Sequence, residues 1–128
     1  MRFHLLVAVV AALLGASPAS AQDAAAGEKV FARCRACHQV GETAKNAVGP
    51  KLNGLFGRKA GSVEGFNYST ANKDSGVTWD EQSFTAYIED PRKFMPGNRM
   101  AYPGVKNPDE IGSLVAFLKQ FGPDGKKR

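Results

Sequence analysis

Apolar side chains recur at helical spacing near the end of the chain. They follow the i, i+3, i+4, i+7 spacing of one helix face and comprise Ile111, Leu114, Val115, Leu118 and Phe121. Asn107 precedes them as a capping residue, and Pro108 follows in the first turn, where its missing N–H costs no hydrogen bond. Gly122-Pro123 is typical of a helix end. The pattern predicts a helix between Asn107 and Gly122.

A second helix is predicted from Asp23 to Cys34. Asp23 can cap it, and one face carries the larger side chains Val30, Phe31 and Cys34. Gly27, inside this helix, costs about 1 kcal/mol relative to alanine. Two interpretations of Gly27 stay open: a close crossing with another helix, or a tolerated surface glycine.

A third helix is predicted from the capping-box pattern Thr78-Trp79-Asp80-Glu81, in which Thr78 would cap the helix and Glu81 would bond back to it. The helix should run to about Asp90, because Pro91 cannot continue it. Its apolar stripe is Phe84, Tyr87 and Ile88.

The remaining chain is predicted to be irregular. Residues 39–67 are rich in Gly, Pro and Lys and show little periodicity, and a loop this long in a compact domain usually serves a function. Short helical turns are expected near Ser69–Asp74 and Pro91–Phe94, and no segment alternates as a strand would. The fold class is therefore predicted to be all-α, with three main helices plus short helical turns.

The first 21 residues have the features of a cleaved signal peptide. Arg2 supplies positive charge, residues 5–14 are apolar, and Ala19-Ser20-Ala21 matches a cleavage site. Cleavage there would leave a single domain from 22 to 128, exported and not membrane-embedded. A retained anchor is the alternative, although the apolar run is far short of the roughly 20 residues that a spanning helix needs.

Composition and charge narrow the function classes. Hydrophobic residues make up 43% of the chain, and 17 Lys and Arg stand against 12 Asp and Glu; removal of Arg2 with the signal leaves 16 against 12. This mild positive balance suits an anionic partner. No basic run resembles a nucleic-acid-binding segment, and Lys126-Lys127-Arg128 is interpreted as a solvated tail. A monomer that does not bind nucleic acid is expected.

The candidate chemistry lies in Cys34-Arg35-Ala36-Cys37-His38. Cys-x-x-Cys-His is the attachment motif of a c-type haem: two thiols on one side of a helical turn can add to the two vinyl groups of a porphyrin, and the imidazole can become an axial iron ligand. Cys34 and Cys37 are the only cysteines, and His38 is the only histidine left after signal removal. A domain this small has a thin core, which a buried porphyrin would complete.

Two other interpretations of the motif are weaker. A thiol–disulfide catalyst would place its cysteines at the start of a helix after a strand, and no strand-like run precedes Cys34. A zinc site needs about four ligands, and the chain offers two thiols and one imidazole.

A haem with one histidine needs a sixth ligand or has an open site. Met95 and Met100 are the only methionines besides the first residue, and a thioether is a soft ligand that suits haem iron and raises its reduction potential. Spacing does not choose between them.

The chain resembles the class I cytochromes c, closest to the bacterial cytochromes c2 and near mitochondrial cytochrome c. The resemblance covers nearly all of 22–128 and rests on four motifs: Gly27-x-x-x-Phe31-x-x-Cys34-x-x-Cys37-His38, Gly49-Pro50-x-Leu52-x-Gly54-Leu55-Phe56-Gly57-Arg58, Gly65-Phe66-x-Tyr68-Ser69-x-Ala71-Asn72 and Pro96-Gly97-x-x-Met100. It implies the class I fold, wrapped around one covalently bound haem c.

The resemblance also implies roles for single residues. Met100 would be the distal ligand and Met95 packing, and His38 would donate to the Pro50 carbonyl. Three residues match positions near the haem propionates: Arg58, Tyr68 and Trp79. Two match a buried polar network beside the methionine ligand, Asn72 and Tyr87, and two match a contact with Leu114 and Phe117, namely Gly27 and Phe31.

Two residues beside the haem depart from the family pattern. Asn98 stands where many relatives have threonine, and the hydrogen bond near the haem depends on this position. Tyr102-Pro103 replaces a more usual Phe-Ala beside the haem edge.

The function implied by the resemblance is a periplasmic carrier of single electrons between membrane redox complexes, and not an enzyme. Its donor would be a complex of the cytochrome bc1 type, and its acceptor a reaction centre, terminal oxidase or dehydrogenase. Basic side chains around the haem edge would meet acidic docking faces: Arg33, Lys45, Arg92, Lys93, Arg99 and Lys106. A haem enzyme or gas binder with an open sixth position is the main alternative, and a haem-free thiol oxidoreductase is the second.

Overall fold

The computed structural model describes residues 11–12, 15 and 23–128. The predicted cleavage site at Ala19–Ala21 lies outside these residues. Five helices are present: α1 (Ala24–Phe31), α2 (Thr70–Lys73), α3 (Glu81–Glu89), α4 (Pro91–Phe94) and α5 (Pro108–Lys119). Within the described ranges, strand-like pairing is limited to isolated bridges between Lys59 and Thr78 and between Phe121 and Lys127. The all-α fold with three main helices and two short helical turns is confirmed.

Helices α1 and α5 cross closely at Gly27. A Cβ at Gly27 would overlap the Ser113 carbonyl oxygen and lie 2.7 Å from the Phe117 Cβ, so only glycine allows the two backbones to approach this far. Next to this point the Phe31 and Phe117 ring centroids are 5.2 Å apart, and Phe31 is fully buried. The first interpretation of Gly27, a close helix crossing, is therefore correct.

The helix ends agree with the sequence in part. Asp23 and Asn107 cap α1 and α5 as predicted. The third predicted start is wrong by two residues, because Asp80 caps α3: its carboxylate accepts from Ser83 N at 2.7 Å, and its own N–H donates to Ser83 Oγ at 2.9 Å. Thr78 instead pairs with Lys59.

Both terminal helices are shorter than predicted. Helix α1 ends at Phe31, and a looser turn continues the chain to Cys37. Helix α5 ends at Lys119, where the chain folds back instead of stopping at Gly122. Among described residues, no helix combines the length and hydropathy needed to cross a membrane.

The C-terminal tail is exposed but held by its backbone. Arg128 N donates to Gln120 O at 2.8 Å, and Gly122 N donates to Lys126 O at 3.0 Å, forming a small hook. Gly54 N in turn donates to Phe121 O at 3.0 Å. The side chains of Lys126, Lys127 and Arg128 are solvent-exposed as predicted. Their backbone is hydrogen-bonded to residues 120–122, and Phe121 in turn bonds to the loop around residue 54.

Candidate cofactor cavity

One cavity brings together the predicted site residues. It has a volume of about 360 Å³ and is lined mainly by apolar side chains from α1, α3, α5 and the long irregular segment 39–69. The lining includes all the candidates: Cys34, Cys37, His38 and Met100. It also includes the apolar loop residues Leu52 and Leu55, so an apolar group of substantial size would be enclosed here.

Cys34, Cys37 and His38 sit on one helical turn directly after α1. His38 N donates to Cys34 O at 2.9 Å, and Cys37 N donates to the same oxygen at 3.1 Å. Cys34 and Cys37 are both half-buried and are not joined in a disulfide. Burial raises the pKa of the Cys34 thiol, so the unmodified thiol is neutral and unreactive compared with the thiolate of a redox catalyst.

The His38 ring is fixed from behind by the Gly49-Pro50 backbone. Its Nδ1 lies 2.7 Å from the Pro50 carbonyl oxygen, which can only accept, so Nδ1 carries the proton and Nε2 keeps its lone pair. A Cβ at Gly49 would stand 2.7 Å from Nδ1 and 2.8 Å from Nε2, which explains the glycine. Burial also lowers the pKa of His38, which favours the neutral imidazole that binds metals.

The two methionines have different surroundings. Met95 is 3% exposed and packs in the protein core, and it does not line the cavity. Met100 is half-buried and lines the cavity, and the Tyr87 hydroxyl donates to its Sδ at 3.6 Å. Burial raises the pKa of Tyr87 to about 12, so its hydroxyl remains a donor at neutral pH.

One wall of the cavity is polar and positive. Arg58 Nη1 donates to the carbonyl oxygens of Lys51 and Asn53 at 3.2 and 2.9 Å, and burial lowers the pKa of this guanidinium. In the part of the chain that the structure describes, no carboxylate lies within salt-bridge distance of Arg58. A half-buried cation without an acidic partner fits an anionic group inside the cavity, as haem propionates would provide. Tyr68 and Trp79 line the same cavity.

The expected polar network beside Met100 is present in part. Asn72 and Tyr87 both line the cavity, and Tyr87 contacts Met100. The Oδ1 atom of Asn72 is buried and lacks a hydrogen-bond partner among the described atoms. A buried unpaired acceptor is costly, and its position in the cavity wall is consistent with a donor supplied from within the cavity.

Asn98, one of the two departures from the family pattern, bonds to its own segment. Its Nδ2 donates to Pro91 O at 3.0 Å and to Met95 O at 2.8 Å, and its Oδ1 accepts from Met100 N at 2.9 Å. Sequence reasoning missed this set of contacts, although an asparagine directly after Pro-Gly is a typical residue for bonding to a neighbouring backbone.

Tyr102, the other departure, contacts a charged pair at the cavity rim. Arg33 donates to the Glu110 carboxylate at 2.9 Å, and its hydrogen bonds with Glu110 and, to a lesser extent, with Tyr102 raise the pKa of Arg33. The Tyr102 hydroxyl therefore brings a polar group to a position where the resemblance leads us to expect phenylalanine.

The predicted basic rim differs in how firmly its members are held. Arg33 pairs with Glu110, Arg99 Nη2 donates to Tyr68 O at 2.9 Å, and Lys106 Nζ donates to Glu89 O at 2.5 Å. All six side chains are exposed, and Arg33 and Arg99 also line the cavity.

The zinc interpretation gains no support, since residues 11–12, 15 and 23–128 contain no group of three or more His, Cys, Asp or Glu placed to hold a metal ion.

The sequence is similar to those of known proteins over most of its length. The family model described as "Cytochrome c" matches residues 24–122. Cytochrome c2 of Blastochloris viridis is 54% identical over 112 residues, covering 88% of each chain. Cytochrome c-554 of Methylosinus trichosporium is 50% identical over 124 residues, covering 97% of this chain and 94% of the relative.

A solved structure extends the comparison to three dimensions. Cytochrome cH from Methylobacterium extorquens superposes with a TM-score of 0.72 at 45% identity, covering 77% of this chain and 98% of that protein. The overall fold is therefore that of a known family. The chain belongs to the cytochrome c family: it is a class I c-type cytochrome close to the cytochromes c2, an electron carrier and not an enzyme, with one covalently attached haem.

Proposed function

We propose that this cytochrome shuttles single electrons between membrane redox complexes in the periplasm, with its haem held by Cys34, Cys37, His38 and Met100. The bound haem supplies an iron that takes up and releases one electron. The observation that carries the proposal is that these side chains, and not Met95, border one largely apolar cavity.

The attachment side is suited to permanent binding. Cys34 and Cys37 lie on the same turn, so two thioether bonds would tie the haem to a backbone that is already hydrogen-bonded. His38 presents an unprotonated Nε2 because its other nitrogen donates to Pro50 O. This ligand needs no proton transfer or rotation before it can bind iron.

The part of the cavity that Met100 lines is suited to a high reduction potential. The Met100 thioether is a soft, neutral ligand that favours ferrous iron, and the surrounding cavity is largely apolar. The Tyr87 hydroxyl withdraws electron density from the sulfur by donating to it. An iron that keeps the same two protein ligands in both states rearranges little when an electron moves.

The location and partners are supported by the sequence and by the surface. A signal peptide is predicted for residues 1–21, and relatives at 54% identity carry the name cytochrome c2. The exposed cations, of which Arg33 and Arg99 line the cavity, suit acidic docking faces, such as those expected of a cytochrome bc1 type donor and of a reaction centre, terminal oxidase or dehydrogenase. A monomer presents this rim without obstruction.

The experiment that tests the proposal compares Met100→Ala with Met95→Leu in the haem-loaded protein. Met100→Ala should abolish the thioether-to-iron charge-transfer absorption of the oxidised form, lower the reduction potential and open the iron to cyanide. Met95→Leu conserves volume roughly, so it should keep the band at a cost below about 1.5 kcal/mol of stability. The reverse result would reject the assignment, and a wild type that lacks the band and binds cyanide at once would favour the open-site haem enzyme or gas binder.

A further inference from the structure

The segment that carries Met100 makes few backbone hydrogen bonds. Between Met95 and Val105 it has three such bonds, all near its ends: from Met95 N to Pro91 O at 2.9 Å, from Asn98 N to Met95 O at 3.1 Å and from Val105 N to Ile88 O at 2.7 Å. The N–H of Met100 itself bonds to a side chain, the Oδ1 of Asn98. The backbone at the proposed ligand therefore depends on that one amide.

The Asn98 amide uses both of its N–H groups and its oxygen on this segment. Its two N–H groups point at the carbonyl oxygens of Pro91 and Met95, at the start and just after the end of α4, and its oxygen receives Met100 N–H. The orientation of the amide is determined by its partners, because a flipped amide would place oxygen against two carbonyl oxygens and nitrogen against an N–H.

We propose that Asn98 is a positioning residue that holds Met100 in the cavity, an inference that rests on the proposed ligation by Met100. With both amide hydrogens donated to carbonyl oxygens, Asn98 has no donor left for a propionate, so its role differs from the haem-directed hydrogen bond expected of a threonine at this place. It ties the turn after α4 to the residue whose sulfur faces the haem. Because Asn98 orders this segment before the Met100 sulfur binds iron, less conformational freedom is lost on binding, and the bound state is favoured.

The size of the effect follows from the number of bonds. Each hydrogen bond of ordinary net strength changes an equilibrium about two- to tenfold. Loss of all three bonds should therefore shift the balance between bound and displaced Met100 by at least about tenfold. All three partners lie within residues 91–100, so the effect should be local to that segment.

The test measures displacement of Met100 by imidazole in the oxidised, haem-loaded protein. Asn98→Ala should raise the apparent affinity for imidazole at least about tenfold. Asn98→Asp keeps the acceptor for Met100 N–H but sets a carboxylate oxygen against two carbonyls, so it should behave like Asn98→Ala. Asn98→Thr, with one hydroxyl, should restore part of the wild-type resistance to imidazole.

A matched control separates positioning from general stability. Asn107→Ala also removes an asparagine whose Oδ1 accepts from backbone N–H groups, those of Asp109 and Glu110, but at the start of α5. It should lower the global unfolding temperature, followed by far-ultraviolet circular dichroism, and leave imidazole affinity unchanged. In Asn98→Ala the charge-transfer band should instead disappear on heating well before the helices unfold.

The outcomes distinguish this inference from the proposed function. If the wild type shows the band and Asn98→Ala binds imidazole as weakly as the wild type does, the positioning role is wrong and Met100 ligation stands. Equal shifts of both readouts in Asn98→Ala and Asn107→Ala would likewise overturn it, because Asn98 would then contribute to general stability only. Absence of the band in the wild type would reject Met100 ligation itself.

Discussion

The two sides of the cavity are built differently. The His38 side (residues 24–55) begins with a helix packed tightly on α5 and continues through a hydrogen-bonded turn, and Gly49 N donates to Cys37 O at 2.8 Å to close it. The Met100 side (residues 91–107) contains one short helix, and side chains hold the segment that follows: Tyr87, Asn98 and Arg99.

This difference predicts different responses to mutation. The His38 side is stabilised by backbone bonds and by buried helix packing, so damage there should unfold the protein as a whole. On the Met100 side, residues 96–104 are held mainly by side-chain hydrogen bonds, so loss of those bonds should change ligation and potential while the fold remains. In such an electron carrier the His38 ligand is held by the fold as a whole, whereas single residues on the Met100 side can change the reduction potential.

The largest effect is expected at the helix crossing. Gly27→Val would drive a side chain into the Ser113 backbone and Phe117, and it should cost at least about 3 kcal/mol, the upper end for overpacked cores. The measurement is the free energy of unfolding in denaturant. Ala25→Val, on the exposed face of the same helix, is the control. Equal stability of the two variants would mean that the α1–α5 contact does not anchor the His38 side.

A smaller effect, confined to the Met100 side, is expected from Tyr87→Phe. The change removes the hydroxyl that donates to Met100 Sδ and keeps the ring, so the sulfur becomes a better donor to ferric iron. The reduction potential should fall on the order of 40 mV, the one-electron equivalent of a hydrogen bond of about 1 kcal/mol. Tyr102→Phe removes a hydroxyl directed at Arg33 and should leave the potential nearly unchanged. Similar shifts in both variants would disprove a specific contact with sulfur.

Local features of the sequence predicted α1 and α5 well. Asp23, Asn107 and the apolar stripe of α5 act within a few residues of themselves, and all were found. The start of α3 was misplaced because Thr78-x-x-Glu81 and Asp80-x-x-Ser83 both fit a capping pattern, and a long-range pairing of Thr78 with Lys59 decides between them. A contact between residues this far apart in the chain cannot be read from the sequence.

The same limit explains what was missed on the Met100 side and in the tail. Spacing left Met95 and Met100 equivalent; the resemblance to the family favoured Met100, and three-dimensional packing separates the core methionine from the one that lines the cavity. The backbone bonds that hold Arg128 to Gln120 and Phe121 to Gly54 are likewise invisible in a basic, polar C-terminus.

A third effect should appear in docking and leave the fold intact. Arg92 and Lys93 lie exposed on α4, on the Met100 side, whereas Arg99 bonds to Tyr68 O and is unsuitable for a clean charge reversal. Changing Arg92 and Lys93 to Glu should slow association with an isolated bc1-type complex by roughly an order of magnitude at low salt. The difference should shrink as salt rises, because screening acts over roughly 8 Å at physiological ionic strength. The same reversal at Lys126 and Lys127 should do much less, and equal slowing would show that only net charge matters.

The smallest effect is expected where the two sides meet at the surface. Arg33 belongs to the His38 side and Tyr102 to the Met100 side, and Glu110 pairs with Arg33 between them. The hydrogen bond from Arg33 lowers the pKa of Glu110. The unfolded chain therefore binds a proton at this carboxylate more readily than the native protein does, and the pair contributes stability above the ordinary glutamate pKa.

Glu110→Gln should accordingly reduce the free energy of unfolding slightly at pH 7. The difference from wild type should disappear as the pH falls through the lowered pKa of Glu110, because the wild-type carboxylate is then neutral as well. Asp109→Asn is the control: it removes a charge from the same first turn of α5 without affecting Arg33. Its effect on stability measures the part of the change that comes from the helix dipole alone. Exposed pairs of this kind are weak, so imidazole affinity should not change. A marked rise in imidazole affinity in Glu110→Gln would instead show that the surface pair supports Met100, and the independence of the two sides would have to be abandoned.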